Sequence, residues 1–174
     1  PADEPSRAQT MQLAAEIDSF CASMDVQVGV NIVSRSQPFA GTKIRALAES
    51  NGMVLEEDGL FHAYDDDGGA QFTLANLEAP LFVAGEMRHL HTSGLTFVID
   101  VPLVADGVVA FDRMMRVANQ MAHALDGTVV DDNRAAIAPE SATVIRSQIQ
   151  RFQAQMREGG LPSGGALAKR LFSA

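Results

Sequence analysis

Gly94-Leu95-Thr96-Phe97-Val98-Ile99-Asp100-Val101-Pro102 is the stretch on which the fold turns. Leu95, Phe97, Ile99 and Val101 alternate with Thr96, Val98 and Asp100, the period of a strand with one buried face, and Pro102 ends it. Downstream, Phe111, Met114, Met115, Ala118, Ala122 and Leu125 keep a 3.6-residue period, predicting a helix over 108–126 capped by Gly127. A short strand at 128–131 comes next. Pro139 then opens a last helix reaching about Arg157, with the stripe Ile145, Ile149, Phe152, Met156. Upstream, Asp65-Asp66-Asp67-Gly68-Gly69 reads as a hairpin turn between strands at 60–64 and Gln71–Asn76. A strand at 53–56 precedes the acidic turn Glu56-Glu57-Asp58-Gly59. Asn51-Gly52 ends a short helix from about Thr42, and Val26, Val28, Val30 and Ile32 form the first strand. Residues 7–24 carry the stripe Leu13, Ile17, Phe20, Met24 of an additional N-terminal helix.

Hairpins imply antiparallel pairing, and helices with one apolar stripe each can cover a single sheet face. The expected fold is therefore α+β: a six-stranded antiparallel sheet with three helices on one face and the opposite face open, plus the extra N-terminal helix. Its parts are a linker remnant and helix (1–25), one folded domain (26–157) and a glycine-rich tail (158–174). Pro1-Ala2-Asp3-Glu4-Pro5 reads as the end of a polar linker, so a piece of a longer protein is expected.

The chain has 174 residues, with 13 Lys+Arg against 22 Asp+Glu. Sixteen of the acids and ten of the bases lie in 26–157, so the folded body is itself acidic. That sign disfavours nucleic acid and direct contact with an anionic membrane, and suits a basic peptide. No stretch has the 18 or so apolar residues of a membrane span.

Little in the sequence points to catalysis. Cys21 is the single cysteine, which excludes an internal disulfide and a cysteine-pair zinc site. His89 and His91 could share one side of a strand, but no third ligand stands at a recognised spacing. His62 and His123 read as surface or edge residues. Asp65–Gly69 lacks the alternating acids and distal Glu of a calcium loop. Asp131-Asp132-Asn133 is turn chemistry. With no phosphate loop, nucleophile elbow or His–carboxylate pairing, the sequence reads as non-catalytic, with no cofactor and no metal.

The informative positions are those facing away from the core. By strand parity Gln27, Gly29, Leu60, Ala75, Leu77, Thr96 and Val98 point outward, and Leu60, Leu77 and Val98 would form an apolar patch of the kind that marks an interaction site.

Three blocks, Phe72-Thr73-Leu74-Ala75-Asn76-Leu77, then Gly94–Pro102, then Leu125-Asp126-Gly127-Thr128-Val129-Val130-Asp131-Asp132-Asn133-Arg134, together resemble the C-terminal domain of the bacterial cell-division protein ZipA. The resemblance covers about 26–157. It implies a six-stranded antiparallel sheet whose open face is a shallow groove for the C-terminal tail peptide of the tubulin-like protein FtsZ. It implies, too, an inner-membrane anchor on an N-terminal span absent from this chain, placing the domain on the cytoplasmic side at the septum. Carried over by position, Gln27, Gly29, Asp58, Leu60, Ala75, Leu77, Thr96 and Val98 would line the groove, with Asp58 and Leu60 on one strand. The better-known members have aliphatic residues at Gln27, Gly29 and Asp58, and a Phe at Val98. A second reading stays open: the same face could pair with itself in a homodimer. The tail carries Leu167, Leu171 and Phe172 beside Lys169-Arg170, and could fill the groove of its own or a neighbouring molecule.

Overall fold

The computed structural model describes residues 27–78 and 81–160. The predicted helix at 7–24 and the tail beyond Gly160 lie outside the described residues. Eight strands and three helices run in the order β1 (Gln27–Ser34), β2 (Phe39–Ala40), α1 (Gly41–Ser50), β3 (Val54–Leu55), β4 (Phe61–Tyr64), β5 (Ala70–Asn76), β6 (His91–Thr92), β7 (Gly94–Asp100), α2 (Gly107–Leu125), β8 (Gly127–Val130) and α3 (Pro139–Glu158).

Six strands form one sheet in the order β3-β4-β5-β7-β1-β8, every pair antiparallel. β7 sits inside the sheet between β5 and β1, which accounts for its uninterrupted apolar alternation. Its inward residues Leu95, Phe97 and Ile99 are completely buried, together with Val30 and Ile32 of β1 and Leu74 of β5. Against them pack Ile44 and Ala48 of α1, Phe111, Met114 and Met121 of α2, and Phe152 and Met156 of α3, in one continuous core. Each fully buried large side chain contributes about 1.5–3 kcal/mol from apolar burial alone. α2 crosses β1, β5, β7 and β8; α1 packs beside it, and α3 rides on α2 and on the Val101–Leu103 turn.

The elements begin and end for local reasons. The Asp106 side chain accepts a hydrogen bond from the Val109 N–H and caps α2. At the other end the left-handed residue is Asp126, with φ of 57°, rather than the expected Gly127, which instead opens β8. Pro139 stands in the first turn of α3, where its missing N–H costs nothing. β3 is only two residues long. Asp58 therefore lies in the β3–β4 turn and not on a strand, and Leu60 immediately precedes β4; the carboxylate of Asp58 accepts from the Leu60 N–H at 3.0 Å, which favours the turn. A second, two-stranded sheet, β2 with β6, has no signature in the sequence because two-residue strands carry no periodicity.

Candidate functional site

The strand register sorts the side chains on the uncovered face into rows. One row runs Val54, His62, Thr73, Val98, Gly29 across β3, β4, β5, β7 and β1. The next contains Ala75, Thr96 and Asn31, with Leu60 one step beyond the Phe61–Leu74 pair. Asp100 faces Gln27 at one end, where the Gln27 amide donates to the Asp100 carboxylate at 3.3 Å. At the other end the Leu77 N–H donates to the Gly94 carbonyl at 3.0 Å. Of the residues expected to line the groove, Gln27, Gly29, Leu60, Ala75, Leu77, Thr96 and Val98 thus share this face, while Asp58 stands at its rim in the turn.

The floor is made of small side chains. A methyl group placed on Gly29 would meet only the Phe97 carbonyl oxygen at 3.5 Å and Asp132 Oδ1 at 4.0 Å. Gly94 is different, because Leu77 occupies the space its side chain would need, with Cδ2 only 2.7 Å from an ideal Cβ. Leu77 therefore lies across Gly94 as an apolar lip, still 37% exposed. Its position is pinned by Glu78, whose carboxylate accepts from the Ser93 N–H and from the Thr92 hydroxyl. The Ser93 bond first, then Thr92, holds the Glu78 carboxyl below the usual glutamate range.

Carboxylates wall the long edges. On the β4 side His62 Nε2 is 2.7 Å from Asp58 Oδ2 and 3.9 Å from Glu56 Oε1, and its ring stacks on Tyr64 with centroids 6.0 Å apart. The Tyr64 hydroxyl donates to the Glu56 carboxylate. That bond, then burial, then the charges of Glu56 and Asp58 push the phenol up to about 12. On the β1 side the turn after β8 folds over the sheet. The Asn31 amide donates to Asp132 Oδ1 at 3.4 Å and to the Asp131 carbonyl at 3.5 Å, and both Asn31 and its neighbour Val130 are buried there. The open surface therefore narrows to β3, β4, β5, β7 and the start of β1. Near its Asp100 end it dips into a cavity of about 200 Å³ lined by His62, Thr73, Val98, Asp100, Leu103 and Val104.

Thr73 and His62 belong to this face as centrally as any residue expected from the sequence, yet neither is among those expected to line it. The parity that assigns Ala75 and Leu77 outward assigns Thr73 too, and the alternation of His62 with buried Phe61 does the same. Asp132 cannot be found that way, since it reaches the face only through the fold of its turn. Among the described residues no group of three or more His, Cys, Asp or Glu could hold a metal ion. Nor is any described helix long and apolar enough to cross a membrane.

Comparison with known proteins meets this geometry. A model of the family described as "ZipA, C-terminal FtsZ-binding domain" matches residues 27–148. Cell division protein ZipA of Vibrio cholerae is 32% identical over 126 residues, covering 68% of this chain and 42% of the relative. ZipA of Vibrio campbellii is 30% identical over 122 residues, 68% of this chain and 38% of that protein. ZipA of Marinobacter nauticus is 26% identical over 133 residues, 74% and 39%. The chain thus spans about two fifths of the length of these relatives. Since the family model matches most of the described residues, the chain belongs to the family of the ZipA C-terminal FtsZ-binding domain.

Proposed function

We propose that the open sheet face binds the C-terminal tail peptide of FtsZ, and that the domain thereby couples FtsZ to the inner membrane at the division septum through a span carried elsewhere in the protein. The observation that carries the reading is the face itself. All three helices pack on the other side of the sheet, leaving a floor of Gly29, Thr73, Ala75, Thr96 and Val98 between an apolar lip and two acidic edges. An amphipathic peptide can set apolar anchors on Leu60, Leu77 and Val98 while its basic groups meet Glu56, Asp58 and Asp100. The family description supports FtsZ as the partner. No catalytic step is part of this function.

Isothermal titration of the chain with an FtsZ tail peptide tests it. Leu60 lies outside the continuous core, so Leu60→Asp should abolish the binding heat and leave the melting temperature within a few degrees. Binding unchanged in Leu60→Asp refutes the docking site. If instead the chain sediments as a dimer that Leu60→Asp dissociates, self-association through this face replaces the reading.

A further inference from the structure

We propose that residues 166–172 of this same chain, Ala-Leu-Ala-Lys-Arg-Leu-Phe, dock on the Asp100 end of the open face and compete there with the peptide partner. The inference adds regulation to the face described above, and its competitive part rests on that reading.

The geometry begins with the direction of α3. Arg146 pairs with Asp112 of α2, and Ile149 packs over Gly107 at the start of α2. One turn later the Gln153 amide donates to the Val104 carbonyl at 2.9 Å and to the Val101 carbonyl at 3.3 Å, and its oxygen accepts from the Gly107 N–H. The two antiparallel helices thus carry the chain out at the sheet end where β7 stops. Val104 is itself part of the lining of the cavity between His62, Thr73 and Val98. From Gln153 to Glu158 the helix rises only about 7.5 Å more. The last stretch of α3 thus follows directly on a residue bonded to the lining of that cavity.

The segment beyond α3 fits that cavity in chemistry. Gly159-Gly160-Leu161-Pro162-Ser163-Gly164-Gly165 is a glycine-rich spacer, and seven such residues span roughly 15 Å root-mean-square. A short flexible tether that can reach its site gives an effective concentration in the millimolar range. Leu167, Leu171 and Phe172 offer apolar anchors for a cavity of about 200 Å³. Lys169 and Arg170 offer the only two cations after Arg157 in the sequence, facing a rim that carries Asp100, Asp58 and Glu56. The larger cavity, about 480 Å³ between α2, β8 and the start of α3, is the wrong seat. Its lining sets Arg35 beside the Arg146–Asp112 ion pair and so offers no acidic rim, and it opens some 18 Å back along α3 from the last helical residue.

Paramagnetic relaxation in the full chain tests this. Cys21, the single cysteine, is changed to Ala, and a nitroxide is placed on Ser173→Cys. The amides of His62, Thr73 and Val98 should broaden, and Leu171→Asp should sharpen them again. Broadening at Met115 and Ala122 instead, or none, overturns the docking. So does broadening of untagged labelled chains mixed with tagged unlabelled ones, which would mean exchange between molecules. FtsZ tail peptide should bind Leu171→Asp roughly three- to tenfold more tightly than the intact chain, the factor lost when a face is free only a tenth to a third of the time. Equal affinities overturn the competition. Docking by relaxation with no peptide binding to either chain would refute the FtsZ reading and leave the intramolecular contact standing.

Discussion

Two residues of the open face, Gly29 and Tyr64, are set by opposite physics. Gly29 gives β1 nothing to bury, which weakens a strand and lowers the floor beneath any ligand. There is room for more, since the nearest atoms to an added Cβ lie at 3.5 and 4.0 Å. Gly29 and Val98 are direct cross-strand partners, so filling both should build one apolar ridge. Gly29→Val with Val98→Phe is therefore expected to tighten FtsZ-peptide binding about 10–100-fold, from roughly 1.5–3 kcal/mol of added burial, and to raise the melting temperature slightly. Titration calorimetry of the double variant against the parent checks it, and weaker binding would place the peptide off this row. Tyr64 by contrast is held protonated by Glu56. As the only tyrosine in a chain without tryptophan, it can be followed alone by its tyrosinate absorbance. Its folded value lies above the ordinary value, so the contact contributes stability that is fully present below about 10 and fades as pH rises through about 12. In Glu56→Gln the transition should fall back toward 10; an unmoved transition would show that the carboxylate is not the cause.

At the scale of elements, a single guanidinium joins one helix to three other elements. Arg113 of α2 donates to the Gln71 side-chain oxygen at 2.6 Å, to the Tyr64 carbonyl at 2.9 Å and to the Asn51 carbonyl at 3.0 Å, over the ring of Phe72. It ties α2 to the ends of β4, β5 and α1 at once. Arg113→Ala should cost about 1–3 kcal/mol, chiefly by leaving buried Gln71 unpartnered, and lower the melting temperature by roughly 3–10 °C. Arg113→Lys should recover only part of this, because an ammonium cannot span three acceptors in one plane. Full recovery would reduce the role of Arg113 to its charge. None of this is legible in the sequence: a polar residue on a mostly apolar helix has no periodic signature, and its three acceptors are scattered from 51 to 71. The legible part is the periodic part. β7, α2 and α3 show strong 2.0 and 3.6 repeats, and parity along β1, β5 and β7 picks out the outward set. Asp58, carried onto a strand by the family resemblance, falls in the turn before β4, where side-chain direction is set by local hydrogen bonds.

The whole molecule adds a field to these contacts. The folded body has more acids than bases, and four of those acids, Glu56, Asp58, Asp100 and Asp132, stand around one small-residue floor. Exposed carboxylates of this kind add little to the strength of a finished complex but draw a basic peptide toward the face. The Debye length falls from about 10 Å at 0.1 M salt to about 3 Å at 1 M, so the pull is screened over that range while apolar contacts at Leu60, Leu77 and Val98 persist. Association of a basic FtsZ tail peptide should therefore slow by roughly tenfold across it, with dissociation changing about twofold or less. Stopped-flow fluorescence of Tyr64, which sits at the edge of the face, can follow both rates without a label. The variant Asp58→Asn with Asp100→Asn should bind slowly at low salt and show a flatter salt dependence, because the field near the site is already removed. A dissociation rate that climbs steeply with salt would mean that ion pairs, and not the apolar lip, hold the bound peptide in place.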